Sequence, residues 1–378
     1  MDRATQRAFW AAFVATVCFF AAFYALIIPL PLYMQAEGIS DWHIGVVMGA
    51  FGIASLIGRP FAGMLSDRFG VRPIIVYGTV ALACGSSLVG LTTSVPVLFV
   101  LRLLQASGYV AFTTAATAMV SGMVGTAQRG TAIARYGTAA NIAITIVPLI
   151  ISAVLPSIGT RGAFVASGVA ACVAGLVIWR IIPAHAPSNT VTALPNLLTY
   201  PRVIWPAMLT TFCFGVGFGA YFQYLPLLAE RRGITLIGPI YVGYGIAIIA
   251  TRLLSGKFID GGDRRSVLIP AAGLTAVGML LFARADSLWM MILAAACIAS
   301  GGGLSHPALI AIHVDRVPER GRATAAFYLA FDLGIGIGSW VLAAVLQFYG
   351  ISMLYVVAAV VSVGAVLVSR RIRPIAAV

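Results

Sequence analysis

Residues 58–72 read GRPFAGMLSDRFGVR, and a related stretch, TRLLSGKFIDGGDRR, begins 193 residues later. The alignment of the two stretches places Asp67 over Asp260, each among glycines and arginines. A second pair, QRGTAIARYGTAAN at 128–141 and ERGRATAAFYLAFD at 319–332, matches at an offset of 191. Two independent matches at nearly the same offset indicate that the chain consists of two related halves in the same orientation.

The composition determines the solvent in which this chain folds. The 378 residues are 61% hydrophobic and 9% charged, with a mean hydropathy of +1.00, whereas soluble domains carry about 25% charged residues. Apolar runs such as 95–100 and 356–366 lack the alternating polarity of a membrane β-barrel. The sequence therefore predicts an all-α integral membrane protein, with the lipid bilayer as its surroundings.

Net charge and cysteines exclude several other classes of protein. The net charge of +13 does not indicate a nucleic-acid partner, because the arginines are spread one to three per loop instead of forming one basic surface. Five cysteines lie inside apolar segments without CxxC spacing, so neither a disulfide framework nor a zinc site is indicated. We expect no metal and no cofactor.

Windows of about 20 apolar residues predict twelve transmembrane helices in two six-helix bundles. We expect one bundle at 1–182, a polar linker at 183–202 and a second bundle at 203–378. The predicted helices lie near 9–31, 43–66, 73–93, 95–123, 131–155, 162–182, 203–229, 237–259, 266–284, 286–312, 321–347 and 350–369.

Lysine and arginine positions predict the orientation of these helices. Of 24 such residues, 17 fall on the side of the termini, 4 on the opposite side and 3 within helices. Cytoplasmic loops carry the excess of positive charge. We therefore expect a multi-pass protein of the inner cell membrane, with both termini and the linker in the cytoplasm.

Two motifs give the chain a family resemblance that covers essentially its whole length. Residues 63–72, GMLSDRFGVR, resemble motif A of the major facilitator superfamily, G-x-L-a-D-r-x-G-r-k, and depart from it at Val71. Residues 102–108, RLLQASG, resemble its motif B, with Ala106 in place of a glycine. The nearest subgroup is the twelve-helix drug/proton antiporter-like exporters, sugar-efflux types included, although their helix 5 motif is reduced here to Gly137, Asn141 and Pro148.

The resemblance implies a gating role for motif A, as a latch at the cytoplasmic ends of helices 2 and 11. The residues that carry it here are Gly63, Asp67, Arg68, Gly70 and Arg72, with Asp260 as a looser counterpart in the second half. A loop whose charges simply face water is the alternative interpretation.

Asp332 is the most informative single position. Of the 11 acidic residues, it is the one predicted to lie well inside a span, where an ionisable group is costly and usually functional. It suits a proton carrier or a partner for a cationic substrate group, while its repeat-mate Asn141 offers an uncharged amide. A structural Asp that binds a neighbouring helix is the alternative.

Two further residues in predicted spans are candidates for proton coupling. Arg102, about one third into helix 4, either pairs inside the protein or extends its guanidinium to an interface; the resemblance links it to proton coupling or substrate handling. His306 follows Gly301–Gly303 and precedes Pro307. Its imidazole titrates near physiological pH, and a packing histidine beside a kink is the alternative.

A central cavity would be mostly apolar, with few polar side chains to orient a ligand. The candidates to line it are Tyr24, Gln105, Asn141, Tyr221 and Gln223. Such a lining suits an amphipathic or weakly polar small molecule better than a highly charged one.

These observations favour a secondary transporter that exports a small organic molecule in exchange for protons, and a monomer. Proton-linked or facilitative uptake remains open, because fold does not fix direction. An enzyme is not expected, since neither HExxH nor GxSxG occurs, and a Walker A sequence is absent. A non-transporting membrane sensor is a less favoured alternative.

Overall fold

The structure is a computed structural model that describes residues 3–123, 129–181, 200–260, 265–317 and 320–372. Every regular element in these ranges is helical. Most of the predicted linker, residues 183–199, lies outside the described residues. The helices are α1 Arg3–Tyr24, α2 Pro29–Ala36, α3 Asp41–Phe69, α4 Val71–Val89, α5 Val95–Gly122, α6 Arg129–Ile181, α7 Trp205–Arg231, α8 Gly238–Asp260, α9 Leu268–Arg284, α10 Leu288–Val314 and α11 Arg320–Ser369.

The twelve predicted spans are confirmed, although the helices are divided differently along the chain. Helices α1 and α2 form one apolar stretch, Thr5–Ala36. Helices α6 and α11 each contain two spans, separated by a kink at Gly159 (φ 66°) and at Gly350 (φ 82°). These positive φ values favour glycine. The remaining seven helices each supply one apolar segment, and the segments Gly238–Leu254 of α8 and Leu268–Arg284 of α9 are the shorter ones.

The first span extends beyond its predicted bounds of 9–31 and is interrupted inside. Pro29 has no backbone N–H and cannot continue the α-helical ladder. Before Pro29, the backbone forms hydrogen bonds to the carbonyl three residues earlier instead of four, from Leu26 N to Phe23 O (3.3 Å) and from Ile27 N to Tyr24 O (3.2 Å). Helix α2 then restarts with Pro29 in its first turn, where the missing donor costs nothing.

Two compact units make up the described chain. One comprises Met1–Glu37 and Ile53–Asn196, and the other comprises Gly38–Gly52 and Leu197–Val378. The first turns of α3 therefore pack with the second unit, and the rest of α3 packs with the first.

The first unit is held together by close helix pairs and a few buried hydroxyls. A Cβ placed on Gly78 of α4 would lie 2.7 Å from the carbonyl oxygen of Gly108 in α5. Thr16 Oγ1 and the hydroxyl of Tyr136 are 2.6 Å apart. In a bilayer, where lipid competes for every apolar surface, such close packing and hydrogen bonds supply the association of helices.

In the second unit, α11 passes between α7 and the first turns of α3 at a run of three glycines. A Cβ on Gly334 would lie 3.0 Å from the Cα of Gly215 in α7, and one on Gly338 would lie 3.0 Å from Val216 Cγ2. On the other side, a Cβ on Gly336 would lie 2.7 Å from the backbone nitrogen of Gly52. The absence of three side chains lets α11 approach two helices at once.

The first turns of α3 lie antiparallel to α11 along a stripe of small residues, with Gly45 next to Ala343, Gly49 next to Trp340 and Gly52 next to Gly336. Polar contacts flank the stripe. The indole Nε1 of Trp340 donates to the carbonyl oxygen of Val46 (3.3 Å), the backbone N of Trp42 donates to Gln347 Oε1 (3.1 Å), and Arg231 Nη2 donates to Asp41 Oδ1 (2.5 Å).

Adding one methyl group to α11 tests this packing. We expect Gly336→Ala to destabilise the protein by about 1–3 kcal/mol, because the new Cβ overlaps backbone that cannot give way. Gly364→Ala is the matched control in the same helix, since a Cβ there meets nothing within 4 Å; it should be neutral or stabilising by up to about 1 kcal/mol. Thermal unfolding in detergent measures both, and equal stability of the two variants would contradict the packing described.

Candidate functional site

Arg102 lies inside the first unit and forms a short chain of hydrogen bonds with α4. Its Nη1 donates to Gln105 Oε1 (2.9 Å), and Gln105 Nε2 donates to the carbonyl oxygen of Gly85 (2.9 Å). The guanidinium carbon lies 5.8 Å from the ring centroid of Phe23, within cation–π range. Only 7% of Arg102 is exposed, so the guanidinium does not extend to an interface in this structure.

Gln105 acts on Arg102 and not on a ligand in this arrangement. Its side chain is fully buried, and a Cβ on Gly85 would lie 2.8 Å from its Cγ. The glycine in α4 therefore provides the space in which the amide sits. In this structure Gln105 bonds Arg102 and the carbonyl of Gly85, and its place in a ligand cavity stays a prediction. The Nε of Arg102 is buried and has no hydrogen-bond partner in the part of the chain that the structure describes.

Asp332 lies in α11 of the second unit, two residues before the first glycine of the packing run. Only 3% of it is exposed, and it is the one acidic residue among the buried side chains of the described ranges. Its carbonyl oxygen lies on the face of α11 that approaches Gly52. The carboxylate is thus held deep in a span by a helix that is packed on two sides. Asn141, its repeat-mate in α6, is only partly buried.

His306 of α10 stands edge-on to a group of rings on α11. Its ring centroid lies 4.7 Å from that of Phe327, 5.9 Å from that of Phe331 and 6.2 Å from that of Tyr328. Phe331 directly precedes Asp332 in the chain. His306 therefore packs against the part of α11 that carries the buried carboxylate.

The motif A residues occupy the end of α3 and the start of α4. Arg72 is the anchored member: its Nη2 donates to the carbonyl oxygen of Trp179, and its guanidinium carbon lies 4.4 Å above the Trp179 ring. This pair ties α4 to the end of α6 inside the first unit. Asp67 is partly buried and Arg68 is exposed. The side chain of Asp260 lies outside the described residues.

Tyr221 does not present its ring to open space. It is fully buried and stacks on Tyr244, with ring centroids 4.8 Å apart, beside Tyr241 and Phe282. The hydroxyls of Tyr221, Tyr241 and Tyr355 are buried without hydrogen-bond partners within the described ranges. Tyr221 is therefore part of an aromatic core, and we leave it out of the proposed cavity.

The other predicted cavity residues are also largely enclosed. Tyr24 is 8% exposed and stacks on Phe20, with ring centroids 5.7 Å apart. Gln223 is 5% exposed and accepts a hydrogen bond from Ser339 Oγ through its Oε1. Tyr224, which sequence reasoning did not select, donates from its hydroxyl to the carbonyl oxygen of Ser339 (2.7 Å). Within the described ranges, no group of three or more His, Cys, Asp or Glu side chains is arranged to hold a metal.

Comparison with known proteins matches the whole chain to one family. The model of the Major Facilitator Superfamily matches residues 12–261 and 235–377. A relative named as the uncharacterized MFS-type transporter YhhS of Escherichia coli K12 is 26% identical, covering 94% of this chain and 90% of that protein. A chloramphenicol resistance protein of Pseudomonas aeruginosa is 25% identical, covering 67% and 62%.

Two solved structures are similar in fold. A bacterial homologue of the human lysosomal transporter Spinster, inward-facing and unoccupied, superimposes with a TM-score of 0.78 at 17% identity, covering 98% of each chain. The nucleoside transporter NupG, as its D323A mutant, also gives 0.78, at 13% identity and covering 97% and 99%. At these identities the likeness shows the fold alone.

The network at Arg102 leads to a prediction about stability. We expect Arg102→Ala to destabilise the protein by about 1–3 kcal/mol, because the buried Oε1 of Gln105 loses its donor. The double variant Arg102→Leu/Gln105→Leu should recover most of that loss, since both polar partners are removed together. Thermal unfolding in detergent measures the two; a double variant that is as unstable as the single one would contradict the network.

Proposed function

The chain belongs to the Major Facilitator Superfamily of membrane transporters, and we propose that it exports a small organic molecule in exchange for protons. It is a multi-pass membrane protein, and its family and fold are those of a carrier. The observation that carries the proposal is the buried carboxylate of Asp332 in α11.

Asp332 carries a carboxyl group inside the protein, and a carboxyl group can bind and release a proton. A charged carboxylate in a span is expensive unless it is compensated, whereas a protonated one is readily accommodated. If one stage of the cycle exposes Asp332 to water and another encloses it, its proton occupancy changes with the conformation. Transport and proton movement are then coupled through the same side chain.

Arg102 and His306 are proposed as partners in this coupling. Arg102 is a buried cation held by Gln105 and is fixed in place before any ligand arrives. His306 is partly buried and packs edge-on against two rings of α11, so a proton on its imidazole would change how α10 and α11 pack. The charge on Arg102 is thus tied to the packing of α5 against α4, and a charge on His306 would be tied to the packing of α10 against α11.

The direction of transport is supported by a relative. The Pseudomonas aeruginosa protein that is 25% identical bears the name chloramphenicol resistance protein, and resistance by removal of a drug fits a chain with a mostly apolar interior. Chloramphenicol is therefore the first probe. Proton-linked or facilitative uptake is the alternative, and the same assay separates these cases. A proton gradient drives the substrate against the proton flow in export by exchange, drives it with the proton flow in proton-linked uptake, and does not drive facilitative transport.

The proposal includes a placement in the inner cell membrane with both termini in the cytoplasm, and function as a monomer. The excess of arginine on the side of the termini supports the orientation. Light scattering of the purified protein in detergent gives the oligomeric state.

Replacing the carboxyl group of Asp332 by the amide of asparagine tests the coupling. We expect proteoliposomes of Asp332→Asn to lose chloramphenicol transport driven by a pH gradient, because the amide cannot carry the proton. Exchange of labelled for unlabelled chloramphenicol at equal pH should persist, since exchange needs conformational change but no net proton movement.

Asp286→Asn is the matched control, because the same chemical change is made in an exposed loop between α9 and α10. It should behave as wild type in both assays. Undiminished gradient-driven transport by Asp332→Asn would contradict the role of this carboxylate, and wild-type exchange without any response to a proton gradient would favour facilitative uptake.

The stable double variant Arg102→Leu/Gln105→Leu tests the arginine apart from folding. We expect it to remain folded and to lose gradient-driven transport, because the buried cation is gone. Wild-type transport rates in the same proteoliposomes would show that Arg102 is a structural residue only.

A further inference from the structure

A groove of about 580 Å³ opens at the beginning of α1, in the first unit. Four of its lining residues come from the first turns of α1, and the fifth, Ile181, ends α6. The lining set is Gln6, Arg7, Trp10, Ala11 and Ile181. Its volume lies in the range of about 300–1,000 Å³ that is usual for small-molecule sites.

The lining combines one cation and one amide with apolar walls. Arg7 and Gln6 are exposed and supply donors. Trp10 is 55% exposed and Ile181 is 48% exposed, which leaves two large apolar surfaces without protein cover. None of the five lining side chains is acidic, so the positive charge of Arg7 has no counter-charge within the groove.

The groove lies at the polar end of the first apolar stretch, where we expect the boundary between lipid headgroups and acyl chains. The apolar stretch of the first span begins at Thr5, so Gln6 and Arg7 lie at its polar end and Trp10 lies one turn deeper. Tryptophan is enriched at this level of a bilayer. Trp179, two residues before Ile181 in α6, is another exposed tryptophan (60%) near the end of that helix.

We propose that this groove is a specific site for an acidic phospholipid. Arg7 and Gln6 bind the headgroup phosphate, while Trp10, Ala11 and Ile181 contact the glycerol and the first acyl carbons. A lipid with a net negative charge fits better than a zwitterionic one, because the headgroup ammonium of the latter would meet Arg7 with no carboxylate among the five lining side chains to pair with it. The site is independent of the transport function proposed above.

Trp10 serves as the reporter of binding. Phosphatidylglycerol or phosphatidylcholine with brominated acyl chains is added to the purified protein in detergent, and the loss of tryptophan fluorescence is measured. The loss in wild type minus the loss in Trp10→Phe gives the quenching of Trp10 itself. We expect phosphatidylglycerol to quench Trp10 at a several-fold lower concentration than phosphatidylcholine. Added salt should reduce this preference, because the attraction is electrostatic.

Arg7→Gln should weaken the binding of phosphatidylglycerol about five-fold, the usual effect of one basic residue at an anionic membrane surface. Arg7→Lys should retain most of it. Arg135→Gln is the control, because Arg135 is an exposed arginine of α6 outside the groove, and it should leave the preference unchanged.

Three results would overturn the proposal. The first is equal quenching of wild type by the two lipids, and the second is an unchanged preference in folded Arg7→Gln. The third is an equal loss in Arg135→Gln and Arg7→Gln, which would mean that the attraction is spread over the whole basic face.

Discussion

Close packing of backbone against backbone fixes the position of α11. At Gly334 and Gly338 this helix approaches α7, and at Gly336 it approaches the first turns of α3. Lipid tails are as apolar as leucine, so burial of apolar area alone does not hold helices together in a bilayer. Removing side chains at the contact lets backbone atoms supply the van der Waals attraction instead.

This packing determines the surroundings of Asp332. The carboxylate precedes the glycine run by two residues, so a helix that is clamped on two sides holds it 97% buried. Arg102 is treated differently, because its guanidinium is bound by Gln105, which is bound in turn by a carbonyl of α4. Among the described Lys, Arg, Asp and Glu residues, the buried ones are thus a cation in the first unit, Arg102, and a carboxylate in the second, Asp332. The sequence repeat shows that the two halves are related, but it does not predict that Arg102 is held by hydrogen bonds while Asp332 lies in a helix held by glycine contacts.

Several features could be predicted from the sequence because they depend on local composition. Twelve apolar windows predicted twelve spans, including the divisions of α6 near Gly159 and of α11 near Gly350, where a glycine interrupts the apolar run. Small residues are typical of close helix contacts in membranes, and Gly334, Gly336 and Gly338 form such a run. The burial of Asp332 followed from its place in the middle of a window.

Other features depend on which helices meet, and no single sequence records that. Asp41 and Arg231 are 190 residues apart in the chain and form an ion pair, which no sequence motif predicts. Tyr221 was assigned to a cavity because it is amphipathic, but the neighbouring rings of Tyr241, Tyr244 and Phe282 enclose it. The extension of the first span to Ala36 was missed, because a helix can resume with proline in its first turn.

The central claim is that Asp332 exchanges a proton, and infrared spectroscopy can observe this without a ligand. A carboxylic acid has a C=O stretching band that a carboxylate lacks, and a difference spectrum between high and low pH isolates the groups that titrate. We predict that wild type shows a band that is missing from Asp332→Asn and present in Asp286→Asn. Identical difference spectra for wild type and Asp332→Asn over the whole accessible pH range would contradict the claim.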